Sequence, residues 1–139
     1  MELITRVQLI AEAESWIDTP WKHQGRLKGV SCDCVGLVIG VARELGLPCT
    51  DVTGYKARPG VEMRALCADQ MDPVGRLNRK PGDVLLMAWR ANPIHLGILV
   101  EDGYVVHSNG IVGKVCKHRM DDNWINAIVQ AYHMRGVEE

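Results

Sequence analysis

Three residues of this chain have types and settings suited to nucleophilic catalysis: Cys34, His95 and His107. Cys34 falls at the expected first turn of a helix, directly after a loop and Asp33. Backbone N–H groups at a helix start are unpaired, and the helix dipole places partial positive charge there. Both effects favour thiolate, the reactive form of cysteine. The charge of Asp33 opposes them unless it is turned into the N-cap. A thiol of pKa ~8.5 is only a few per cent ionised at neutral pH, so a nearby histidine would complete the activation. The other reading of Cys34 is a small buried cysteine, which also serves Cys49, Cys67 and Cys116. Cys32 reads as a loop cysteine.

His95 opens the apolar run Ile94-His95-Leu96-Gly97-Ile98-Leu99-Val100, and His107 lies on the next run. Register decides whether they meet. A turn of Asp102-Gly103 alone sets residue 107 opposite 98, facing away from His95. A loop of Glu101-Asp102-Gly103, with Gly103 left-handed in a bulge, sets His107 opposite Gly97. His95 then becomes its diagonal neighbour, roughly 7–8 Å away at the backbone, with Gly97 leaving room for the rings. The chemistry therefore predicts the longer loop. In that arrangement His95 takes the thiol proton and later returns it to a leaving amine, while His107 orients the imidazole. His107 also reads as a half-exposed strand residue with a satisfied hydrogen bond. His23, His118 and His133 read as surface or loop histidines.

Metal and phosphate chemistry fit less well. Cys32-x-Cys34 lacks the spacer of zinc sites, and no second ligand pair has usable spacing. Gly25, Gly29 and Gly36 match neither phosphate-binding glycine pattern. Neither a metal nor a cofactor is expected.

The elements that must position these residues are helices first and strands afterwards. Apolar residues Val7, Ile10, Ala11, Trp16 and Ile17 recur at helical spacing over residues 5–17, with Thr5 as N-cap. Residues 18–32 read as a loop. A second helix runs over 34–45, capped by Asp33 and stopped by Gly46 and Pro48. A short helix is expected over 60–71, within a poorly patterned middle segment. After Pro81-Gly82, short apolar runs at 83–87, 94–100, 104–108, 113–117 and 127–133 read as antiparallel strands. The expected class is α+β, with N-terminal helices packed on a C-terminal antiparallel sheet, as one domain over residues 1–139.

Composition agrees with a globular protein: 139 residues, 47% hydrophobic, with 16 basic against 17 acidic side chains. That balance gives no bulk attraction to nucleic acid or an anionic membrane, and neither is an expected partner. No apolar run approaches the roughly 20 residues of a membrane span. The N-terminus lacks the pattern of a signal peptide, and five irregularly spaced cysteines favour reduced thiols in a cytoplasmic setting.

The run Gly29-Val30-Ser31-Cys32-Asp33-Cys34-Val35-Gly36-Leu37-Val38 resembles the Asp-Cys-Ser-Gly-Leu nucleophile motif of the NlpC-type peptidoglycan peptidases. Lys80-Pro81-Gly82-Asp83-Val84 is similar to their Pro-Gly-Asp strand entry. His95-Leu96-Gly97-Ile98, then Asp102-Gly103 and His107, resembles their base-and-orienter hairpin. These elements occur in family order over roughly residues 15–118. With Thr19-Pro20-Trp21-Lys22-His23-Gln24-Gly25 upstream, the chain looks closest to the phage and prophage tail branch.

The resemblance implies a papain-like core and a Cys34–His95–His107 triad. It implies hydrolysis of peptidoglycan stem peptides, usually between D-γ-glutamate and a diamino acid, through a thioester on Cys34. The Cys34 backbone N–H would hold the oxyanion. Phage tail proteins are implied as partners, with delivery from the cytoplasm to the virion or the wall. The alternative is a tail-assembly component whose peptidase fold is unused or gated by a partner. Two positions depart from the family: Trp21 stands where Tyr is usual, and Val35 where Ser is common. Trp21 and Asp33 are the candidate substrate-binding residues. Trp21 also reads as an aromatic packed over the second helix, and Asp33 as its N-cap.

Overall fold

The computed structural model describes residues 2–55, 62–89 and 92–139, apart from the side chains of Asn92 and Pro93. The first helix, α1 (Arg6–Glu14), begins at Thr5, whose hydroxyl accepts from the Gln8 N–H while the Gln8 side chain accepts from the Thr5 N–H. This reciprocal capping box satisfies two N–H groups left over at the helix start. Two short strands follow, β1 (Arg26–Leu27) and β2 (Ser31–Cys32), paired antiparallel where the sequence reads as loop. The second helix, α2 (Cys34–Glu44), is buried from Cys34 through Ala42. That follows from its composition, apolar on every side until Arg43. Next come α3 (Glu62–Gln70), β3 (Met71–Val74) and a single 3-10 turn at Arg76–Asn78.

The second half is the sheet. Its strands are β4 (Val84–Trp89), β5 (Asn92–Glu101), β6 (Tyr104–Asn109), β7 (Lys114–Arg119) and, after the short helix α4 (Asp122–Ala127), β8 (Ile128–Met134). The six strands run in the order β3-β8-β4-β5-β6-β7, with neighbouring strands antiparallel. The fold is α+β, as the sequence predicts. The expected α3 helix is present over 62–70; residues 60 and 61, where its start is expected, lie outside the described residues.

Strand alternation divides the core in two. Val84, Leu86, Leu96, Ile98, Val106 and Val115 pack with α1 and α2. Leu85, Met87, Leu99 and Val105 pack with Ala127, Ile128 and Trp124 around α4. The Pro-Gly-Asp entry to β4 is tied to α1 by Arg6, which donates to the Asp83 carboxylate and the Pro81 carbonyl, each at 2.9 Å. Asp83 also accepts from the Lys80 N–H, so the buried carboxylate is held on both sides.

Candidate active site

The hairpin that carries His95 and His107 takes the register the chemistry requires, by a different turn. Ile98 pairs with Val106 and Leu99 with Val105, which sets His107 opposite Gly97. The tip is tighter than the expected three-residue loop: Glu101 pairs with Tyr104 around Asp102 and Gly103, with Gly103 at φ 81°. The compensating shift lies between Leu99 and Glu101, so the extra residue is absorbed in the strand at Val100. A Cβ on Gly97 would stand 2.6 Å from Val105 Cγ2 and 3.4 Å from His107 Cβ. Glycine is needed there by close approach.

His95 Nε2 lies 2.9 Å from His107 Nδ1, with the two rings edge to face at 5.0 Å between centroids. His107 is fully buried and His95 half-buried. Burial pushes the His95 imidazole down to about 4 and the His107 imidazole down to about 3, each helped by its histidine neighbours. Both rings are therefore neutral at pH 7.

Cys34 meets this hairpin at β5, beside Leu96. The pairing of β5 with β6 stops at Ile98 and Val106, although β6 continues along β7 as far as Asn109. Ser108 Oγ donates to the Cys32 carbonyl at 2.7 Å, which ties β6 to the segment just before α2. The Leu96 N–H, next in sequence to His95, points to the Cys34 thiol and favours its anion. The segment from Cys32 to Cys34 is thus joined to both histidine-bearing strands, through Ser108 of β6 and Leu96 of β5. Cys34 is 6% exposed, and burial pushes its thiol up to about 12, with the Asp33 charge adding to the rise. The N–H groups at the helix start act as the sequence suggests, but burial outweighs them. Among the described residues no hydrogen bond joins Cys34 to His95, and burial leaves the resting thiol and the resting imidazole both neutral.

Asp33 caps α2 by accepting from the Gly36 N–H at 2.7 Å. It also accepts from the Gln24 N–H, the Tyr55 hydroxyl and Arg26 Nη1, at 2.7, 2.6 and 3.2 Å. Those four bonds use the roughly four acceptor directions of a carboxylate. A substrate amine at Asp33 would have to displace one of these donors. Arg26 in turn pairs with Asp51 at 2.9 Å and donates to the Val52 carbonyl at 2.6 Å. Gly36 permits this close arrangement, because a Cβ there would overlap the Gly25 carbonyl oxygen. The Trp21 backbone N–H donates to the Gly113 carbonyl, and a Cβ on Gly110 would touch the indole ring at 3.3 Å. Trp21 therefore borders the β6–β7 loop at the end of the sheet nearest Cys32, with which it forms an isolated bridge.

Two site residues were not apparent in the sequence. His118, on β7, places Nε2 2.9 Å from His107 Nε2. Trp124 of α4 lies over the histidines, its ring 4.9 Å from that of His107 and 4.5 Å from that of His118. The available signal for His118 was register: His107 pairs with Cys116, which makes His118 the next diagonal neighbour across the hairpin.

No protein of curated function matches the chain in sequence. Solved structures match its fold. An NLP/P60-family protein from Staphylococcus aureus, similar to lipoprotein, aligns with TM-score 0.68 and 18% identity over 96% of this chain. This chain spans 42% of that protein. The NlpC/p60 domain of the peptidoglycan hydrolase SagA aligns with TM-score 0.65 and 21% identity, over 93% of this chain and 98% of that domain. The peptidoglycan hydrolase RipB of Mycobacterium tuberculosis aligns with TM-score 0.66 and 16% identity, over 96% of this chain and 66% of that one. In sequence, residues 18–133 match the NlpC/P60 family, and the chain belongs to that family.

Proposed function

We propose that this chain is a cysteine peptidase that hydrolyses stem-peptide bonds of bacterial peptidoglycan, between D-γ-glutamate and a diamino acid. One observation carries this reading. The Leu96 N–H, on the residue next to His95, points to the Cys34 thiol, while His95 and His107 are hydrogen-bonded at 2.9 Å on the neighbouring strands β5 and β6. The named function of SagA and RipB as peptidoglycan hydrolases supports the choice of substrate.

In the proposed reaction His95 removes the Cys34 proton as the sulfur attacks the scissile carbonyl. The resulting imidazolium donates to the amine as it leaves, and water then resolves the thioester with His95 again as base. His107 holds the His95 ring and accepts from its far nitrogen. Because thiol and imidazole are both neutral at rest, charge separates only when substrate arrives.

The test is mass spectrometry of muropeptides incubated with the protein and with Cys34→Ala. Cleavage that is lost in the variant names the bond and supports the reading. The burial of Cys34 favours one alternative, a fold gated by a partner. Folded protein that cleaves no wall type would point there. Association with a phage tail rests on the resemblance at residues 19–25, and co-purification with virions tests it.

A further inference from the structure

His118 extends the histidine pair to a line of three. The spacing has a simple origin: His95 lies two residues from Gly97 and His118 two residues from Cys116, the residues on either side of His107. The three imidazoles therefore step diagonally across β5, β6 and β7, with Trp124 packed over them.

The far end of this line has a direction. His118 Nδ1 lies 2.9 Å from the carbonyl oxygen of Arg119, and a carbonyl can only accept. A neutral His118 must therefore carry its hydrogen on Nδ1, which leaves Nε2 as a lone pair. The contact at 2.9 Å then requires His107 to donate from Nε2. That leaves His107 Nδ1 to accept, so His95 must donate from Nε2. The one nitrogen left with an open lone pair is His95 Nδ1. Cys116 Sγ, 3.5 Å from His107 Nε2, is a weaker partner and does not reverse the order. The opposite orientation needs a second proton on His118, and it would leave hydrogen on His95 Nδ1.

We infer that His118 is a positioning residue: through His107, and anchored on the Arg119 carbonyl, it fixes the tautomer in which His95 Nδ1 is the base. This rests on the peptidase reading for its purpose, but the tautomer is measurable without substrate. Each bond in the line polarises the next, so the imidazolium formed on His95 is supported by two rings.

The experiment is two-dimensional NMR of the protein with 15N-labelled histidine, which reports which ring nitrogen carries hydrogen. It is run on the natural sequence, on His118→Phe and on His118→Gln. The glutamine can accept from His107 through its oxygen and donate to Arg119 through its amide. We expect His95 to be hydrogenated on Nε2 in the natural protein and in His118→Gln, and to become a mixture of tautomers in His118→Phe. With muropeptides, kcat should fall about tenfold in His118→Phe with KM unchanged, on the scale of one net hydrogen bond, and recover in His118→Gln. Hydrogen on His95 Nδ1 in the natural protein, or an unchanged tautomer in a folded His118→Phe, overturns the inference. If the natural protein cleaves nothing, the peptidase reading fails while the spectra still decide the role of His118.

Discussion

A thiol at the first turn of a helix gains from the free N–H groups there, and at Cys34 that gain meets a larger opposing cost. The sulfur is buried, and its pKa is pushed up to about 12 even with the Leu96 and Val35 N–H groups favouring the anion. Against an ordinary thiol near 8.5, the thiolate fraction at neutral pH falls by roughly three orders of magnitude. Iodoacetamide at pH 7.5 should therefore label exposed Cys49 well before Cys34, and Cys34 labelling should still be rising at pH 10. Peptide mass spectrometry after timed quenching checks this. Fast labelling of Cys34 that is flat from pH 5 to 8 would instead show a resting ion pair with His95. Asp33 is the second residue whose surroundings set its behaviour. Removing it in Asp33→Ala leaves Arg26 with only Asp51 as a charged partner and frees the donors at Gly36, Gln24 and Tyr55. We expect a loss of about 2–4 kcal/mol in urea denaturation, toward the range for a broken buried ion pair. A loss below 1 kcal/mol would mean that Asp51 and solvent compensate.

At the scale of the element, the β5–β6 hairpin is held in register by one missing side chain. In Gly97→Ala the new Cβ would meet Val105 Cγ2 at 2.6 Å and Met87 Cε at 3.2 Å, with the His107 Cβ at 3.4 Å. Methionine can move; the β-branched Val105 is stiffer. The variant should lose about 1–3 kcal/mol, as overpacked cores do, and it should lengthen the His95–His107 bond. A urea midpoint together with histidine spectra measures both effects. This hairpin is also where the sequence is most informative. An imidazole opening an apolar strand, a glycine two residues on and a second imidazole across the turn leave few compatible registers. The helices were legible for related reasons, since Thr5 and Asp33 cap the starts they announce. Other elements carry weaker local signals. Lys117 and Arg119 flank His118 and give its strand the look of a solvated segment, although alternation turns the imidazole toward His107. Helix α4 is six residues long and β3 contains Pro73, so neither shows a periodicity that can be read alone. The Arg26 network depends on Asp33, Asp51 and Tyr55, which no short pattern connects.

For the whole molecule, the histidine line is part of the structure that joins the sheet to α4. Its two innermost rings stay neutral because burial disfavours their charge: His95 is pushed down to about 4 and His107 to about 3. In the unfolded chain each returns to about 6.5. Between these values the unfolded state binds protons that the folded state refuses, so acid favours unfolding and stability rises with pH. The stability is complete above about pH 6.5 and is lost progressively as the pH falls through about 4 and then 3. With about 1.4 kcal/mol for each unit separating the two states, His95 alone removes roughly 3 kcal/mol. That is a large part of the 5–15 kcal/mol typical of a domain. Most of the loss precedes the protonation of ordinary carboxylates, which titrate near 4. The urea midpoint should therefore fall between pH 6.5 and 4.5, and it should fall less steeply when His95→Gln and His107→Asn are combined. A midpoint that holds down to pH 5 would mean that the rings take up protons inside the folded protein, with Trp124 admitting the water needed to solvate them.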